Sequence, residues 1–189
     1  MAERSFLILH GLAYDGDPDH WHARLAASLR DRDEAVAYPS LPDPETPSLA
    51  RWLRIVHDEL TGAADEAIVI CHSLSVLLWL HLAPGLERPV DRLLLVAPPE
   101  DREVPAGGRE FRIGAPDTVA LRSSSRSTPR LVRGTLDPYS PSGTPGWADA
   151  AGCEVDEIPG AGHMNPDDGH GSWSSCERWC DDPAVRIEV

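Results

Sequence analysis

No lysine occurs among the 189 residues; all 17 basic side chains are arginine. Schiff-base catalysis, pyridoxal phosphate anchoring and a P-loop lysine are thereby excluded. Positive charge is scarce as well. Against those 17 arginines stand 31 acidic residues, a formal net charge of −14. A nucleic-acid backbone or an anionic membrane would be repelled, so neither is expected as a partner. The apolar stretch of the N-terminus, "FLIL" (6–9), is too short for a signal peptide or a membrane span. Cysteine is sparse too. Residues 71, 153, 176 and 180 form no secreted-domain disulfide framework in a chain this long. The pair in "CERWC" lacks a second pair at zinc spacing and reads as one face of a helix. No metal and no cofactor are expected. The chain reads as a soluble cytoplasmic protein, with its oligomeric state left open.

What the sequence does contain is a repeated alternation. A chain of this length is most economically one domain, 1–189, able to bury roughly 70% of its unfolded surface. Short runs rich in Val, Ile and Leu stand at "FLIL" (6–9), "AVAY" (35–38), "AIVI" (67–70), "RLLLV" (92–96) and "RLV" (130–132). A weaker, alternating candidate follows at "CEVDEI" (153–158). Continuous apolar runs suit strands covered on both faces, as in a parallel sheet. Helix candidates lie between them. "DHWHARLAASLR" has Asp19 as its expected N-cap, and "PSLARWLRIVHDEL" has Ser48, with apolar residues at 49, 52, 53, 56 and 60. "SVLLWLHL" and "SWSSCERWC" complete the set. Strand alternating with helix predicts an α/β fold of about six mostly parallel strands sandwiched by helices. The 18 prolines and 15 glycines concentrate in loops such as 38–48 and 97–129. The latter is longer than a plain connection and leaves a strand's C-terminal end, where ligands bind. It is expected to be a small lid or an irregular insertion.

The chemistry falls at the ends of strands. Ser73 lies between the strand "AIVI" and the helix "SVLLWLHL". A serine on such a turn projects its hydroxyl from the sheet over a helix N-terminus, and the next N–H, that of Leu74, is placed to donate to an oxyanion. Its flanking positions, Cys71 and Ser75, are small, although glycine would be most comfortable there. A polar helix cap is the alternative for Ser73 alone. A nucleophilic serine also needs a base and an acid. "RLVRGTLDPYS" places Asp137 beyond one strand, and "IPGAGHMN" places His163 beyond the last. The chain order Ser…Asp…His, each member after its own strand, is that of the α/β-hydrolases.

At the N-terminus, "LILHGLAYDGDPDHWH" ends a strand in His10-Gly11. Gly11 allows a tight turn, and the Leu12 N–H is the expected second oxyanion donor. His10, His20 and His22 have no acidic ligand in register, so loop support or a helix face is expected rather than a metal. His72 is expected to line the pocket or support its loops. Tyr14, Trp21 and Trp173 lie beside the proposed loops and either line an acyl pocket or pack the core.

"HGLAYDGDPDHWHARL", "CHSLS", "LDPYS" and "GAGHMNPDDGHGSW" together resemble the small serine hydrolases, the family of retinoblastoma-binding protein 9 and bacterial YdeN. Members read HG…GSP..HW near the start, HSLG at the elbow, DP[YF] at the acid and GHIN…GFG.W at the base. The resemblance covers nearly the whole chain. It implies a minimal α/β-hydrolase fold with a small or absent cap, and carries the nucleophile onto Ser73, the acid onto Asp137 and the base onto His163. Ser75 stands where the family has glycine, and "SGTPGWADAAGCE" is rich in glycine and proline where the family has a regular helix. The expected activity is hydrolysis of a small ester, thioester or amide through an acyl-enzyme. The alternative is a catalytically impaired hydrolase-fold protein that binds a ligand or another protein.

Overall fold

The computed structural model describes residues 4–189. Six strands form one sheet in the order β2-β1-β3-β4-β5-β6, and every neighbouring pair is parallel. The strands are β1 (Arg4–Leu9), β2 (Ala35–Ala37), β3 (Glu66–His72), β4 (Arg92–Val96), β5 (Arg130–Gly134) and β6 (Glu154–Ile158). Between and after them run α1 (Trp21–Asp31), α2 (Leu49–Thr61), α3 (Leu74–Leu82), α4 (Thr118–Ser123), α5 (Gly146–Ala150) and α6 (Ser174–Asp181). Among the described residues no helix is long and apolar enough to cross a membrane.

The period of two along a strand divides each central strand between two cores. Leu7, Leu9, Val69, Cys71, Leu93 and Leu95 face the layer that holds Trp52 of α2 and the whole apolar body of α3. Phe6, Ile8, Ile68, Ile70, Leu94 and Val96 face the opposite layer, with Trp21 and Leu25 of α1 and Trp179 of α6. Because both faces are covered, these strands read as unbroken apolar runs. The edge strand β6 alternates instead: Asp156 and Ile158 are buried, whereas Glu154 and Glu157 are exposed. Asp156 is a buried carboxylate held by Arg130, Arg186 and the Ile187 N–H, which ties the C-terminal segment to the sheet edge.

Two caps differ from expectation. The residue before α1 is His20, and Asp19 pairs with Arg24 instead. Ser48 precedes α2 without a side-chain bond to the helix; the first amide, Leu49 N–H, donates to the Glu110 carboxylate at 3.0 Å. A carboxylate from another segment has displaced the local cap. Glu110 belongs to 97–129, which is built of two short 3-10 turns (Asp101–Glu103 and Ala106–Phe111) followed by α4. Val104, Phe111 and Leu121 anchor this segment in the core. The Gly/Pro-rich stretch before β6 keeps only the short α5.

Candidate active site

The elbow is built where β3 runs into α3. Ser73 is the single residue between them and adopts φ 57°, ψ −119°. A non-glycine residue in such a region costs on the order of 1–3 kcal/mol and persists only where its surroundings fix it. Here the Ser73 N–H donates to Val96 O on β4, and Ser73 O accepts from Val76 N–H. Ser75 adds a third tie. Its hydroxyl is fully buried, accepts from His72 N–H at 2.9 Å, and lies 2.9 Å from the carbonyls of both Leu9 and His72. Glycine is therefore not the comfortable residue at position 75 in this chain, since it would leave buried backbone groups short of a partner.

Gly11 is required for a close approach more than for a turn. A Cβ there would lie 2.8 Å from Ser73 Cβ, whereas the left-handed residues of this loop are Ala13, at φ 56°, and Gly16, at φ 87°. Leu12 follows Gly11, which packs against Ser73, and Leu74 directly follows the serine; both residues line the same cleft. Leu74 opens α3, so its N–H has no acceptor one turn back. Among the described residues neither N–H makes a hydrogen bond to a backbone carbonyl.

Asp137 and His163 follow β5 and β6 and converge on Ser73. His163 Nε2 is 2.8 Å from Ser73 Oγ, and its Nδ1 is 2.8 Å from Asp137 Oδ2. The other Asp137 oxygen accepts from Tyr139 N–H at 2.8 Å, two residues on across Pro138. The backbone of His163 is gripped at both ends. Its N–H donates to Asp168 Oδ2 at 2.8 Å, and its carbonyl accepts from His72 Nε2 at 3.0 Å. Gly162 allows this grip, because a Cβ there would overlap the Asp168 carboxylate. Gly134 is equally constrained: a Cβ at the end of β5 would run into the carbonyls of Ala161 and Gly162. Sequence reasoning passed over Asp168. Its signal lies in "NPDD", where Asn165 and Asp168 form a reciprocal capping box on the turn after the histidine.

These groups open into a cleft of about 620 Å³ at the C-terminal edge of the sheet. Leu12 and Tyr14 form one wall, Pro99, Pro105 and Gly107 of the 97–129 segment another, and Tyr139 and Asn165 line it as well. His72 is buried at its floor. Trp21 and Trp173 do not reach it. They stack edge to face, 5.1 Å apart, within the hydrophobic core. His10 is loop support: its Nδ1 donates to Gly11 O at 2.8 Å and its Nε2 accepts from Leu41 N–H at 3.0 Å.

Burial pushes five histidines below their ordinary value of 6.5. His10 and His170 are lowered, His20 falls to about 4, and His22 and His72 lie well below 6.5. Below pH 6.5 the unfolded chain takes up protons that the folded chain refuses, so stability is complete above that pH and drains away as pH falls. Each such group contributes up to about 1.4 kcal/mol per pH unit. His20 alone, held at about 4, removes roughly 2–3 kcal/mol over two pH units, a large share of a marginal domain's stability, and the other buried rings act in the same direction. Thermal melts with a chelator present are expected to show a steep drop in Tm between pH 6.5 and 4.5. A Tm that stays level across that range would mean that these rings are not held neutral.

A family model described as serine hydrolase matches residues 6–181. Among solved structures, the ydeN gene product of B. subtilis superposes with a TM-score of 0.80 at 18% identity, covering 94% of this chain and 97% of that one. A YdeN-like hydrolase from Pectobacterium atrosepticum gives 0.70 at 22% identity, covering 97% and 93%. Arabidopsis thaliana SOBER1 gives 0.59 at 15%, covering 95% and 98%. At these identities the likeness to solved structures speaks for the fold. No curated protein matches the chain in sequence. With the family model spanning nearly all of its length, the chain belongs to the serine hydrolase family.

Proposed function

We propose that this serine hydrolase cleaves a small ester, thioester or amide through an acyl-enzyme formed on Ser73. The observation that carries this reading is the unbroken line Ser73 Oγ–His163 Nε2 and His163 Nδ1–Asp137 Oδ2, with both distances 2.8 Å. His163 takes the Ser73 proton as Oγ attacks the carbonyl carbon, then delivers it to the leaving group as the tetrahedral intermediate collapses. Asp137 orients the ring and stabilises the imidazolium. The Leu12 and Leu74 N–H groups receive the oxyanion, each such donor being worth ~3 kcal/mol in the transition state. Water then repeats the sequence on the acyl-enzyme, activated by the same histidine. A cleft of about 620 Å³ fits a small-molecule substrate. Four free cysteines suit a cytoplasmic setting.

A fluorophosphonate probe tests the nucleophile, and a panel of p-nitrophenyl esters of increasing acyl length sizes the pocket. Labelling confined to Ser73, with turnover of short esters, is expected. A folded protein that neither labels nor turns over any ester would make this a binding module on a hydrolase fold.

A further inference from the structure

The floor of the cleft holds a cluster that acyl transfer does not require in full. His20 and His22 stand at the start of α1, and His72 ends β3. Taking one ring nitrogen from each, the three ligand atoms lie within 4.8 Å of one another, and all three residues are buried. Along the chain only His20 and His22 are near each other; the third imidazole arrives through the fold. We propose that His20, His22 and His72 form a binding site for one borderline divalent cation of the Zn²⁺ class.

The hydrogen bonds around the cluster support this assignment. In metal sites a ligating histidine ordinarily donates its second ring N–H to a carbonyl or another oxygen, which fixes the tautomer and turns the other nitrogen to the ion. His72 Nε2 is committed to the His163 carbonyl at 3.0 Å, leaving Nδ1 as its lone pair. The Tyr38 hydroxyl lies 2.6 Å from His22 Nδ1, leaving Nε2. His20 is the exception: its buried Nδ1 has no hydrogen-bond partner among the described residues. That freedom matters, because the His20 and His22 rings stack 3.6 Å apart with 17° between their planes. Stacked rings cannot both aim in-plane lone pairs at one ion, so one must turn about its Cβ–Cγ bond. His20, whose Nδ1 is unpartnered among the described residues and whose other polar tie is to the Asn165 side chain, is the one able to do so. With that ring turned, inward movement of the side chains brings the nitrogens to the roughly 2.0–2.1 Å that Zn²⁺ requires. Three neutral imidazoles without a carboxylate or thiolate select a borderline cation over Ca²⁺ or Mg²⁺, which take oxygen ligands. Water from the cleft completes the shell.

Ion binding here does not depend on acyl chemistry, and Ser73→Ala is expected to bind as the wild type does. The experiment titrates chelator-treated protein with Zn²⁺ by calorimetry and with Co²⁺ by visible absorption. One ion per chain is expected, with Co²⁺ giving tetrahedral d–d bands and no thiolate charge-transfer band. His20→Gln and His22→Gln are each expected to weaken binding at least ~10-fold. Tyr38→Phe removes a single oxygen behind His22 and is expected to weaken it ~10–100-fold, which decides the matter should a histidine variant fail to fold. Absence of 1:1 binding overturns the site, as does binding unchanged in His20→Gln, His22→Gln or Tyr38→Phe. A thiolate band would move the ion to the cysteines.

Discussion

Ser73→Ala is expected to lower ester turnover by ~10⁶ and abolish fluorophosphonate labelling, because the attacking oxygen is gone while the rest of the site remains. Stability should hardly change. Alanine keeps the Cβ, so the positive φ of 57° costs the same in both proteins. Only the Oγ–His163 hydrogen bond is lost. Ser73→Gly separates chemistry from strain. It loses the same turnover, yet glycine carries no penalty at this φ and ψ. Relief of ~1–3 kcal/mol of strain exceeds the ~0.5–1 kcal/mol that glycine costs in unfolded-chain entropy. Ser73→Gly should therefore melt above Ser73→Ala. Turnover retained in Ser73→Ala would relocate the nucleophile, and Ser73→Gly melting lower would show that the elbow stores no strain.

Asp137→Asn is expected to reduce turnover by ~10⁴ in a folded protein. The hydrogen bonds explain the size of the loss. Both carboxylate oxygens of Asp137 face donors: Oδ1 receives Tyr139 N–H, and Oδ2 receives the proton on His163 Nδ1. An asparagine has one acceptor and one donor for these two places. The Tyr139 backbone N–H is always a donor, so it claims the amide oxygen. The amide NH₂ then faces His163 Nδ1 and is satisfied only if that nitrogen gives up its proton. The ring switches to the Nε2–H tautomer, which points a proton at Ser73 and cannot accept one. Ester turnover with a p-nitrophenyl substrate measures the effect, and near-wild-type rates for Asp137→Asn would remove Asp137 from the acid's position.

How much of this was legible depended on whether the cause was local. The runs at 6–9, 67–70 and 92–96 became the central strands β1, β3 and β4 because a strand covered on both faces has to be apolar along its length, whereas 35–38 became the short, partly exposed edge strand β2. The alternating run at 153–158 became the edge strand β6 because one of its faces is wet. Ser73, Asp137 and His163 were each marked by a strand end and a neighbouring turn residue. The cap of α2 was misread because its first amide finds Glu110, some 60 positions on. Ser75 looked like a departure from a glycine rule, but its hydroxyl ties β1 to the elbow, which no spacing along the chain reveals. Trp21 and Trp173 lie next to site residues in sequence, but their rings point into the core.

The all-parallel sheet also bears on how the chain acquires this site. No neighbouring strands are joined by a hairpin. Arg4 pairs with Glu66, and Leu94 with Arg130. Every pairing therefore closes a long loop before any contact rewards it, which places the fold among slow, high-contact-order folders. During synthesis β1 emerges first but remains without its central partner until β3 has followed. The base arrives later still, from the turn after β6. The nucleophile and its base are thus separated by 90 residues of synthesis, and the exposed apolar edges of β1 and β3 are surfaces that a chaperone would meet in the interval.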